Sequence, residues 1–378
     1  MKKLLKWILP MVIVAAAIPV FPSLKAEVEP VKVEAKKYDE TIVLDEDKTL
    51  TEPMVLDSGK NILLDLNDHE VKENFSEDKP AVLIITNNTK VTIIDSGDGG
   101  DASSTGDKVK ALIGVQDGEL NIQGGSFACD KKPIVGLKAT KDTDKSEFVL
   151  SGGTLRTEAP VIKDDITAGN ISVKVDADKG GMISFNDNAV HLKDDSPGTV
   201  KLEVNKGDIS GEKNGIWAEK GVNVEINGGN IFGSSVDGVA VVHESKAVVN
   251  GGVIKGLWSG LFANDKSKIN INGGNFLGKT NADGICLKNK SKAEITGGTL
   301  KGKLSGLEVF FDSTAEITGG KFTGQNEGGL YTDKIDNVKI TAGKFKTEGL
   351  GEFSSSLYGK TDERSEEHTS ELQSHELI

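Results

Sequence analysis

The chain has 378 residues, with 58 acidic against 45 basic side chains, a net charge of −13 and a pI near 5.0. That balance excludes the basic surfaces that bind nucleic acid or anionic membranes. Forty-five glycines, two cysteines and 5% aromatics fit one repetitive β architecture with many corners better than two globular domains.

The first element is a targeting segment, residues 1–26. Lys2, Lys3 and Lys6 supply a basic start, Trp7–Phe21 an apolar stretch, and Leu24-Lys25-Ala26 a cleavage site. The apolar run is short for a membrane span and holds Pro10 and Pro19, so it reads as a cleaved signal for export. Residues 27–40 are charged and lack helical periodicity, and read as a leader.

Residues 41–363 read as one domain. In 41–207 apolar-alternating runs such as Ile62-Leu63-Leu64-Asp65-Leu66 and Val82-Leu83-Ile84-Ile85 precede loosely spaced glycine doublets at 124–125, 152–153 and 180–181. From 208 to 350 the pattern tightens. Val224-Glu225-Ile226-Asn227-Gly228-Gly229 returns as Ala247-Val248-Val249-Asn250-Gly251-Gly252, as Ile269-Asn270-Ile271-Asn272-Gly273-Gly274, and three times more. The second small residue falls at 229, 252, 274, 298, 320 and 343. A unit this short cannot bury its apolar face alone and must stack on its neighbours.

Each unit holds three short strands and three turns, so the expected fold is a single-stranded parallel β-helix of roughly 12 rungs, three strands per rung. Alternation assigns three inward columns: Ile226 to Ile340, Ile231 to Phe345, and Ile216 to Leu330. Asn227, Asn250, Asn272, Thr296, Thr318 and Thr341 form a polar ladder beside the glycine corners. On this register Cys129 and Cys286 lie six rungs apart, about 29 Å, so two free thiols are expected. Arg364–Ile378 resembles a translated sequencing adapter and is read as an artefact, which would leave the true C-terminus missing.

These repeats resemble the right-handed parallel β-helix (pectate-lyase-like) superfamily, and more narrowly its non-catalytic, adhesin-like bacterial surface proteins. The resemblance implies right-handedness and a secreted or cell-surface location. It also offers an alternative function, that of a polysaccharide lyase or glycoside hydrolase. The residues of those enzymes are poorly matched. Arg156 is the only arginine before 364, and Asn281-Ala282-Asp283 only approximates a hydrolase motif. Asp237 and Asp283 fall two rungs apart in one column, about 10 Å, with Ser259 between them.

The third strand offers a different chemistry. Its outward positions carry Trp217, Ala240, Phe262, Cys286, Glu308 and Tyr331, then Glu219, Val242, Asn264, Lys288, Phe310 and Asp333; Trp258 and His243 lie at the margins. Flat aromatic side chains among Asp, Glu and Asn suit stacking on sugar rings. The expected ligand site is therefore Trp217, His243, Trp258, Phe262, Phe310 and Tyr331, for an extracellular or surface glycan or a host-surface ligand. No catalytic residue, metal site or cofactor is expected, nor a nucleic-acid partner, nor a membrane once the signal is removed. A purely structural stalk remains a third possibility.

Overall fold

The computed structural model describes residues 37–97, 99–195, 199–280 and 282–348, with the backbone of Leu357–Gly359. The chain divides into residues 1–34 and 35–378. The first unit, with the targeting segment and most of the leader, lies outside the described residues, as does Arg364–Ile378.

The described residues from 40 onward form a parallel β-solenoid of about 13 turns with three strands per turn, and every pairing among them is parallel. The additional turn is formed by Glu40–Val43, Lys48–Leu50 and Met54–Leu56, ahead of the Asn67-Asp68 corner at which the rung markers begin. Among the described residues the only helix is the 3-10 turn Ile335–Asn337, and no helix is long and apolar enough to cross a membrane.

The period-two pattern dictates the interior. Ile226 pairs with Val249, Val249 with Ile271 and Ile271 with Ile295, all fully buried. Ile231, Ile254, Phe276, Leu300 and Phe322 fill the second sheet in the same way, and Ile216 through Leu330 the third. Only the last members, Ile340 and Phe345, are partly exposed, although Phe345 still stacks on Phe322 at 4.6 Å.

Between the first and second sheets the chain turns at the glycine doublet, where the two glycines do different work. A Cβ on Gly273 would lie 2.4 Å from the carbonyl oxygen of Asn250 one turn below, so the corners can stack only without side chains. Gly274 sits at φ +94, where an L side chain is strained. The polar ladder runs alongside: Asn227 donates to Asn205 (2.9 Å), Asn250 to Asn227 (2.7 Å), Asn272 to Asn250 (2.8 Å), and the Thr296 hydroxyl to Asn272 (3.1 Å). It satisfies amide groups that would otherwise compete with the corner backbone.

Removing a column member should therefore weaken several turns together. Phe276→Ala is expected to cost about 3–5 kcal/mol in chemical denaturation. Amide exchange should accelerate in the turns carrying Ile254 and Leu300 before the distant turn carrying Phe127.

Candidate functional site

The outer face of the third sheet is built from Ile216–Glu219, Val239–Val242, Ser259–Asn264, Asp283–Leu287, Ser305–Val309 and Gly328–Thr332, paired in that order. Register aligns Trp217, Ala240, Phe262, Cys286, Glu308 and Tyr331 in one outward column. These positions are not equally open. Trp217, Phe262, Glu308 and Tyr331 are half-buried, whereas Ala240 and Cys286 are buried. The expectation that Cys286 faces solvent is thus corrected. A short side chain flanked by larger ones about 4.8 Å away on either side is covered by them.

The six expected contact residues do not form one continuous strip. Phe310 and Tyr331 meet at 5.2 Å, with Phe311 packed on Phe310 at 5.6 Å. Trp217 and Phe262 lie two turns apart with Ala240 between them. Trp258 is 61% exposed but lies ahead of its strand, its N–H donated to Val236. His243 lies beyond the strand's other end in a polar line: Nδ1 is 3.7 Å from Glu219 and Nε2 3.9 Å from Asp265, while His191 is 3.5 Å from Glu219.

Between the two aromatic groups lies a cluster that the residue pattern did not single out as a site. Asp283, Cys286 and Glu308 bring one ligand atom each to within 4.8 Å of one another. The Cys286 thiol donates to Glu308 at 2.8 Å, and the Lys288 ammonium lies 3.6 Å from the same carboxylate. Asp283 Oδ1 accepts the N–H of Ser305 (3.0 Å) and its hydroxyl. Burial, with Glu308 adding to it, pushes the Asp283 carboxyl up to about 8 and raises the Cys286 thiol well above its ordinary value. One signal was available beforehand: Cys286 and Glu308 are adjacent in the outward column.

Beneath this face runs an inner polar column. Asn214 donates its backbone N–H (3.1 Å) and side-chain amide (2.8 Å) to Asn188, Asp237 donates its N–H to Asn214 (3.0 Å), and Ser259 donates its N–H to Asp237 (2.9 Å). Each side chain thereby satisfies a backbone donor one turn up, where the chain enters the third sheet. Burial pushes Asp237 up to about 7. The alignment of Asp237, Ser259 and Asp283 follows the expected column, but all three are buried, beyond the reach of a polymer chain. Arg156 lies on the second sheet. Cys129 and Cys286 are both free and buried.

Fold and site together define a parallel β-helix with a mixed aromatic and acid–thiol face on its third sheet. Residues 168–348, just under half of the chain, match the family model of NosD, described as a periplasmic copper-binding protein. No curated protein and no solved structure matches the chain.

The raised carboxyls carry a pH signature. Below the unfolded value of 3.8 both states hold the Asp237 proton; between 3.8 and about 7 the folded state holds it more tightly. Stability therefore falls as pH rises through that window. Asp237→Asn, matching Asn188 and Asn214 in the same column, should be nearly neutral at pH 4 and stabilising at pH 8. At ~1.4 kcal/mol per unit the gain is at most of order 4–5 kcal/mol. Denaturant titrations at the two pH values measure it, and an equal effect at both would exclude the buried acid as the cause.

Proposed function

We propose that the chain is an exported, non-catalytic β-helix protein of the cell envelope. It holds an extracellular or surface glycan, in adhesin-like fashion, on the outer face of its third sheet. The observation that carries this reading is the collection of aromatic rings on that face. Trp217, Phe262, Phe310 and Tyr331 remain partly accessible there, Trp258 stands exposed at one margin and His243 at the other. On a chain with 5% aromatics, rings left in water on one sheet face point to a ligand rather than to packing. The basic and apolar start supports export, as does the match of residues 168–348 to a family described as periplasmic. A non-catalytic role is supported by the burial of Asp237 and Asp283 and by the position of Arg156 on a different sheet.

Purified protein incubated with neutral and acidic polysaccharides should bind without releasing reducing or unsaturated ends. The triple variant Trp217→Ala, Phe262→Ala, Tyr331→Ala should bind at least ~10-fold more weakly, a difference of about 1.4 kcal/mol. Release of chain ends would favour the lyase or hydrolase alternative, and full binding by the triple variant would remove the face.

A second reading is metal binding at Asp283, Cys286 and Glu308, favoured by the position of this thiol–carboxylate trio inside the span that matches a copper-binding family. The donor set fits: one sulfur selects a soft cation such as copper, and two carboxyls supply negative charge. The bound ion would displace the Cys286 and Asp283 protons and compete with Lys288, so affinity should rise with pH. Copper titration followed by thiolate charge-transfer absorption should give one equivalent, lost in Cys286→Ser. No absorption at pH 8 would end this reading and leave the glycan reading untouched.

A further inference from the structure

In four successive turns the chain leaves the third sheet through a two-residue reversal in which both residues take positive φ. The pairs are His243 and Glu244 (51, 65), Asp265 and Lys266 (50, 61), Asn289 and Lys290 (53, 64), and Phe311 and Asp312 (52, 59). Asp and Asn suit the first of these positions, because a short polar side chain tolerates the left-handed region. Phe311 does not. It is a bulky aromatic in a conformation that disfavours it, and its ring is 56% exposed, so the fold gains little burial in return.

The ring is held rather than loose. The Phe311 N–H is donated to Asp333 at 3.0 Å, its carbonyl accepts the N–H of Lys290 at 3.0 Å, and its ring packs on Phe310, which packs on Tyr331. The three rings, tilted by 59° between Phe311 and Phe310 and by 31° between Phe310 and Tyr331, form a held apolar cluster at the outer edge of the third sheet. Of the neighbouring cations, Lys334 pairs with Asp312 at 2.7 Å and Lys288 with Glu308 at 3.6 Å, and Lys290 acts on the same Asp312 carboxylate through its charge. Neither Lys334 nor Lys288 is disposed to recognise a carboxylate or phosphate, and the net charge of −13 repels polyanions.

We propose that Phe310, Phe311 and Tyr331 form the primary binding platform for the apolar faces of uncharged pyranose chains. Phe311 is kept in its strained turn for that contact. The inference rests on the glycan reading above and narrows it to one end of the face and to neutral glycans.

The decisive variant is Phe311→Asn in the full chain, with cellohexaose and chitohexaose as neutral probes and polygalacturonate as the anionic one. Calorimetric binding and thermal unfolding are measured together. Phe311→Asn should raise the unfolding midpoint by about 1–3 °C. It should also weaken binding of a neutral hexaose about 10-fold or more, while Trp217→Ala alone changes it less. Unchanged binding by Phe311→Asn, with binding lost in the double variant Trp217→Ala, Phe262→Ala, overturns the platform and leaves the wider reading standing. A lowered midpoint identifies Phe311 as a packing residue and overturns it too, as does a wild-type preference for polygalacturonate. Absence of binding to all three probes removes both the platform and the glycan reading.

Discussion

Every feature of this protein depends on equivalent residues of successive turns lying beside one another and exchanging backbone hydrogen bonds in register. Within the regular turns, register holds through all three sheets: Ile226 to Val249, Ile231 to Ile254, Ile216 to Val239. The corner sets that register. Gly251 and Gly273 approach the carbonyl oxygens of Asn227 and Asn250 so closely that nothing larger fits, and a slip of one residue would bring Asn to the first glycine's place or, in the other direction, Val253 or Asn275 to the second's, where φ is positive. Once the corner is fixed, identical side chains stack into columns, and a column behaves as one element. An interior column of isoleucine and phenylalanine supplies the core. An exterior column of asparagine satisfies itself. A column that changes identity from turn to turn is where the chain can carry chemistry.

The outer column of the third sheet is of that last kind. Its members change from Trp217 to Ala240, Phe262, Cys286, Glu308 and Tyr331, whereas the inner column beneath it stays Ile, Val or Leu throughout. The same regular scaffold thus separates a partly exposed aromatic pair, a closed acid–thiol cluster and a terminal aromatic platform by one turn each. Burial then decides what each can do. Asp283 and Cys286 are buried with only Glu308 reaching partly outward, 3.6 Å from Lys288, while the platform keeps a ring in water. The buried acids also tie stability to pH, because Asp237 and Asp283 stand where Asn188 and Asn214 do the same work without a titrating proton.

Much of the fold was legible because it is written in periods: alternation gave the inward faces, and the glycine doublets gave the corners. The opening turns were legible only as looser rungs, because residues 40–85 have the alternation without the glycine doublet. The site was less legible for a physical reason. Whether an outward residue meets water depends on the sizes of its neighbours one turn above and below, so Cys286 looks exposed in its own strand and is 3% exposed in the fold. Its neighbour Glu308 could be found by stepping one period. Asp283 joins them from the strand's inward start, and no periodicity announces that. Phe311 is hidden for another reason: only its left-handed backbone, shared with Asp265 and Asn289, makes a phenylalanine there anomalous.

In-register stacking is tested most directly by cross-linking exposed ladder positions. Asn250 and Asn272 occupy adjacent turns with their amides 2.8 Å apart, whereas Asn250 and Thr296 are two turns apart. A disulfide spans Cα separations up to about 7 Å, which accommodates one turn at about 4.8 Å and excludes two at about 9.6 Å. The account predicts that Asn250→Cys with Asn272→Cys oxidises to a single intramolecular bridge while Asn250→Cys with Thr296→Cys stays reduced. A bridge in the second pair, or none in the first, would contradict it.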